Sequence, residues 1–220
     1  MKKVINIIIA LLCAATGIQA QEINWRALNP NHKNLIGLHT GIDFSTMYGL
    51  NAARLIPGKI PVMIGTEISI PFGKQVLDDW KINLNGQAEL WHNTHFSLGI
   101  KPGISLLRYE SAAARFYNIS GNVNGTFGYF RPKWGLATEL SYNKPIGTHI
   151  HHDLLKTEYP GIRDGWYSGA GGVIGAGLKA HVSIRSLRFC LKAGRVFGQY
   201  FKNNPTIPYY LDVSLGLFPF

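Results

Sequence analysis

Residues Trp80 to Leu90 read WKINLNGQAEL, and polarity changes at almost every step. One parity holds Trp80, Ile82, Leu84, Gly86, Ala88 and Leu90; the other holds Lys81, Asn83, Asn85, Gln87 and Glu89. A strand sends successive side chains to opposite faces, so this segment carries one apolar and one wet face.

The same alternation recurs along the chain and yields ten candidate strands. They run about Asn34 to Phe44, Met47 to Ile56, Val62 to Pro71, Trp80 to Leu90, His95 to Arg108, Tyr117 to Tyr129, Lys133 to Asn143, Trp166 to Val182, Leu187 to Gln199 and Ile207 to Phe220. Eight and twelve are the neighbouring counts. Connections after even strands are short: Pro57 to Pro61, Asn93-Thr94, Arg131-Pro132 and Arg185-Ser186. Those after odd strands include Phe72 to Asp79, Tyr109 to Arg115, Lys144 to Gly165 and Tyr200 to Thr206, mostly longer. Short periplasmic turns and long outer loops mark transmembrane barrels. Trp80, Tyr109, Tyr117, Tyr142, Trp166 and Tyr209 gather towards the expected outer rim, and Phe96, Tyr129, Trp134 and Phe218 towards the inner one, as two aromatic girdles. A soluble sandwich or lipocalin-like barrel also alternates, but turns its apolar face inward.

The ends favour export. Lys2 and Lys3 precede an apolar run from Val4 to Ala15, and Ile18-Gln19-Ala20 suits a cleavage site, so residues 1–20 read as a signal peptide. Residues 21–33 are then an N-terminal periplasmic segment and 34–220 the barrel. Beyond the leader no run approaches 18 apolar residues, so no transmembrane helix is expected. Cys13 falls in the leader and leaves Cys190 without a disulfide partner. Without Lys2 and Lys3, 20 bases stand against 12 acids. No Lys/Arg run supports nucleic-acid binding; a basic rim beside outer-membrane lipid and lipopolysaccharide is expected instead. The fold class expected is therefore all-β, an antiparallel transmembrane β-barrel in a bacterial outer membrane.

Two resemblances add to this. Phe220, ending a strand of alternating apolar residues, resembles the C-terminal signal read by the barrel assembly machinery. Tyr142-Asn143-Lys144, Thr148-His149-Ile150, His152-Asp153, Tyr159-Pro160, Asp164-Gly165-Trp166-Tyr167, Gly171-Gly172 and Pro208-Tyr209-Tyr210-Leu211 resemble outer-membrane barrels of Bacteroidota. That resemblance covers about the C-terminal half. It implies a fold and a Gram-negative location, and brings no established activity.

Candidate chemistry concentrates in few places. His149, His151, His152, Asp153 and Glu158 share the longest outer loop, and imidazoles with carboxylates suit a divalent metal. A solvated loop and a pH-responsive loop are the alternatives. Asp78-Asp79 opposite His151, His152 and Asp153 is similar to the acid and histidine pairs of omptin proteases. Here, however, the acids are adjacent and the order is His151-x-Asp153. His95-Phe96-Ser97 is similar to the His-x-Ser pair of lipid A deacylase barrels, but parity turns it inward and Leu98 follows it. His181-Val182-Ser183 repeats the spacing. Inward, Glu67, Lys81, Glu89, Lys101, Glu139, Lys179, Arg188 and Lys192 line either a solute path or a network that fills a narrow barrel. Gly169, Gly171, Gly175 and Gly177 form one parity of the eighth strand, suited to a ligand, a plug or sharp curvature.

The function expected is non-enzymatic: a small structural, binding or assembly barrel meeting a protein or small-molecule ligand through its outer loops. A rim- or wall-located hydrolase is the alternative, and a narrow channel the third. No cofactor is expected other than a divalent metal at the histidine loop.

Overall fold

The computed structural model describes residues 24–25, 33–72, 78–111, 113–152, 156, 159, 161–169, 171–199 and 207–218. The expected signal peptide, Asp153, Glu158, Pro219 and Phe220 lie outside the described residues.

Eleven strands form: β1 (Asn34–Ile42), β2 (Thr46–Ile56), β3 (Val62–Pro71), β4 (Trp80–His92), β5 (Phe96–Glu110), β6 (Arg115–Phe130), β7 (Trp134–His151), β8 (Gly165–Ser168), β9 (Val173–Ile184), β10 (Leu187–Gly198) and β11 (Tyr209–Leu217). Ten of them close a ring. Each pairs antiparallel with its neighbours, β7 with β9, and β11 returns to β1 through Ile36 opposite Leu217 and Ile42 opposite Leu211. Closure satisfies the ladder groups of both seam strands and leaves the ring without an edge. The short β8 stands outside the ring and pairs only with β7 in the sheet.

The burial pattern settles which face is which. Leu84, Leu140 and Leu178 are 57%, 62% and 59% exposed, while Asn85 and Lys179 are 5% and 1% exposed. Apolar side chains cover the outside and polar ones fill the middle, the reverse of a water-soluble barrel. Strands of nine or more residues are long enough to cross a hydrocarbon core. One end has the short turns 57–61, 93–95, 131–133 and 185–186; the other has the remaining strand connections, including that from β7 to β9. Both the start of β1 and the end of β11 lie at the short-turn end.

Four details differ from the sequence reading. The expected seventh strand runs on to His151, because a bulge opposite Ile119 and Ser120 absorbs Ile146 and lets the β6 ladder continue. The expected eighth strand divides into β8 and β9, so Gly169 and Gly171 fall between strands. Phe218 leaves the inner girdle. It sits on the inward parity of its strand and is buried with Leu35, Ala53 and Met63 against Trp25 and Leu55. His95 lies in the turn before β5 and stacks on Tyr129, with centroids 5.2 Å apart, so it does not share the inward face of Ser97.

The apolar cluster lies at the short-turn end. Asn24, in the expected N-terminal segment, is buried there and donates its Nδ2 to the Arg131 carbonyl at 2.7 Å. The Arg188 guanidinium covers the Phe218 ring at 5.1 Å.

Candidate functional site

Above the apolar base the lumen holds a cavity of about 440 Å³. It reaches the strand ends on the long-loop side, where Ile42, Asp43, Pro145, Val173 and Val196 border it. Strict alternation puts polar groups on its wall. Asn83 and Asn85 come from β4, Asn118, Asn122 and Asn124 from β6, and Asn143 from β7. The ladder sets Asn143 beside Asn122, Asn122 beside Gly103, and Gly103 beside Asn85.

The charges are largely engaged with one another. Lys81 pairs with Asp43 at the mouth. Lys179 pairs with Glu139 at the floor, and also donates to Thr126 Oγ1 at 3.3 Å. Lys192 and Asp212 face each other in the β10/β11 ladder. The Ser69 hydroxyl donates to Glu67 Oε1 at 3.1 Å, and His39 Nε2 lies 3.7 Å from the same oxygen. Ser120 donates to Asn118 Oδ1 at 2.6 Å, and Asn118 Nδ2 donates to Thr148 Oγ1 at 2.9 Å. Among the described residues the amide oxygens of Asn85 and Asn124 are buried without a hydrogen-bond partner. Buried acceptors of this kind call for a hydrogen-bond donor from water or ligand.

Tyr210 occupies the facing wall. Its hydroxyl donates to Glu139 Oε1 at 3.3 Å. A Cβ placed on Gly177 would lie 2.3 Å from that hydroxyl, and one on Gly194 would lie 2.5 Å from ring carbon Cζ. The glycine row of the sequence therefore beds an aromatic ring against the wall. Sequence reading found the glycines but not the ring they accommodate, since only the closed register brings β9, β10 and β11 together.

The predicted catalytic residues do not assemble. Asp79 Oδ1 accepts the Glu110 amide at 2.7 Å, with Glu110 in turn held by Arg108 and Arg115. Asp78 adjoins it in the β3–β4 connection. From there to His151 the wall runs through β5 and β6, three ladder steps of about 4.8 Å each. Ser97 donates to Glu89 Oε1 at 2.5 Å, and His92 Nδ1 contacts Glu89 Oε2 at 2.8 Å. The Ser97 hydroxyl is thus held by a carboxylate rather than an imidazole. His181 is buried beside Phe130, with ring centroids 5.9 Å apart, and among the described residues Ser183 Oγ is buried without a hydrogen-bond partner.

The histidine loop is organised by Asp164. His152 donates its amide to Oδ1 at 2.9 Å and its Nδ1 lies 3.2 Å away; His151 Nδ1 lies 2.7 Å and Lys156 Nζ 2.5 Å from Oδ2. The amide and lysine hydrogen bonds hold the Asp164 carboxyl well below the usual carboxylate range. His149 points elsewhere, edge-on to Trp166 at 5.3 Å. Among the described residues no three His, Cys, Asp or Glu side chains group as metal ligands. Gly165–Ser168 continues the β7 wall outward and does not fold into the lumen.

Closed ring, polar lumen and apolar exterior together define the class: a ten-stranded β-barrel of outer-membrane type. Among solved structures the chain is similar to an outer membrane channel from Pseudomonas putida F1, with TM-score 0.53 and 9% identity, covering 90% of this chain and 99% of that one. At that identity the likeness is one of fold. No family model and no curated protein matches the chain.

Proposed function

We propose that the protein is a small bacterial outer-membrane barrel whose lumen, open to the outer side and sealed on the periplasmic side, is a binding cavity for a small polar solute. The observation carrying this reading is the 440 Å³ polar cavity above a plug of Leu35, Ala53, Met63 and Phe218. Short turns belong to the periplasmic side of such barrels, which supports the orientation. The long-loop rim, with Asp164 holding His151, His152 and Lys156, is the expected contact for lipopolysaccharide and any protein partner.

The reading is tested by access and conductance. Asn122→Cys is expected to react with a charged, membrane-impermeant methanethiosulfonate on intact cells, while Met63→Cys stays protected. The purified barrel is expected to show no steady ion current in a planar bilayer. Steady current together with labelling of Met63→Cys from outside would favour a narrow channel instead. That second reading draws on the fold neighbour, which is described as a channel.

A further inference from the structure

Building on the lumen as a binding cavity, we propose that its ligand is a neutral, hydroxyl-rich solute: a mono- or disaccharide. The first ground is charge. Acids and bases of the lumen offset one another: Lys81 pairs with Asp43, Lys179 pairs with Glu139 behind the lining, and Lys192 lies opposite Asp212 in the ladder. With Glu67 and Lys101 the count comes even, four acids to four lysines when Lys179 is included. An ionic ligand would upset this balance within a low-dielectric wall, whereas a neutral one leaves it intact.

The second ground is hydrogen-bonding chemistry. Six asparagines line the cavity. Each amide offers donors and an acceptor, which matches a hydroxyl that does both. Among the described residues the Asn85 and Asn124 oxygens have no hydrogen-bond partner, so the asparagine wall holds acceptors not yet committed. The third ground is Tyr210. Its ring lies against the backbone at Gly177 and Gly194 and borders the cavity. In the ring order β11 is five strands from β5, so this aromatic stands across from the asparagine wall of β4 and β6. A sugar ring has one apolar C–H face and a polar perimeter, and this arrangement offers a partner to each. The 440 Å³ volume falls within the roughly 300–1,000 Å³ of small-molecule sites.

The test is saturation-transfer difference NMR on detergent-solubilised barrel, titrating glucose and maltose. Gluconate and glucosamine serve as charged analogues, and glycylglycine as a zwitterion. The neutral sugars are expected to bind at least about fivefold more tightly than their charged analogues, the scale of one lost or strained hydrogen bond. Asn85→Leu and Asn124→Leu are each expected to weaken maltose about fivefold. Tyr210→Leu is expected to weaken it about tenfold and Tyr210→Phe to retain it. Heat-modifiable gel migration identifies variants that fold. Equal or tighter binding of the charged analogues, or of glycylglycine alone, overturns the saccharide assignment. Loss on Tyr210→Leu but not on either asparagine variant overturns it too. No sugar signal overturns the assignment alone if Asn122→Cys still reacts from outside, and removes the cavity reading as well if it does not.

Discussion

Replacing Lys179 by Met probes the lumen floor. Lys179 is 1% exposed and Glu139 7%, so the pair is buried inside the barrel. Removing the ammonium strands the Glu139 carboxylate. Among the described residues its remaining partner is the Tyr210 hydroxyl at 3.3 Å. Breaking a buried pair from one side costs about 3–5 kcal/mol, because the other charge stays desolvated. Lys179→Met is therefore expected to lose about 3–5 kcal/mol. Glu139→Gln is expected to cost somewhat less, since Lys179 keeps the Thr126 hydroxyl at 3.3 Å. The double variant carries neither charge and is expected within about 1 kcal/mol of the parent, as buried pairs exchanged for neutral groups often are. The coupling between the two sites then exceeds about 2 kcal/mol. Urea unfolding in lipid vesicles, followed by tryptophan fluorescence, reads all four corners of the cycle. A loss below about 1 kcal/mol for Lys179→Met, or a double variant as damaged as both singles together, would refute the buried-pair argument.

Other outcomes follow from the same structure. Leu84→Arg, on the exposed apolar face, is expected to destabilise by about 2–4 kcal/mol in vesicles, and Leu84→Ile by far less; equal losses would deny that lipid touches this face. Arg185 holds φ 54° in the two-residue turn between β9 and β10, so Arg185→Gly is expected to stabilise by about 1 kcal/mol, and a loss would contradict the strain. The folded Asp164 carboxyl titrates below its unfolded value of about 3.9, so its contribution is full above that pH and fades only as pH falls through the lower folded value. Carboxyl NMR should therefore give a midpoint below 3.9, and a midpoint at or above it would break the Asp164 hub. With that carboxylate engaged by His151 and His152, saturating zinc is expected to leave the melting temperature unchanged. A zinc-dependent rise abolished by His151→Ala and His152→Ala would establish a metal site instead.

The wall was legible because alternation is local: Leu84 and Asn85 declare their faces from neighbouring positions, and the ladder keeps them there. The lumen was half legible. Parity turned Glu139, Lys179 and Lys192 inward, but only closure of β7, β9, β10 and β11 shows which charges meet. Phe218 was misread as a girdle residue because a terminal aromatic suits either role, and its even parity is decisive only once β11 pairs with β1. The His151–Asp164 contact joins the end of β7 to the approach to β8 across the long loop, and no fixed spacing announces it. The proposed protease residues failed to converge for a related reason: Asp79 and His151 share a rim, but shared height on a barrel leaves the distance around it open.

The face assignment is tested most directly by single cysteines at Leu84 and Asn85, in a chain with Cys13 and Cys190 replaced by Ser. Each carries an environment-sensitive fluorophore, in vesicles containing brominated lipid. Lipid-borne bromine should quench the label at position 84 and spare the one at 85. Quenching at 85 with none at 84 would turn the barrel inside out and contradict every assignment made to its lumen.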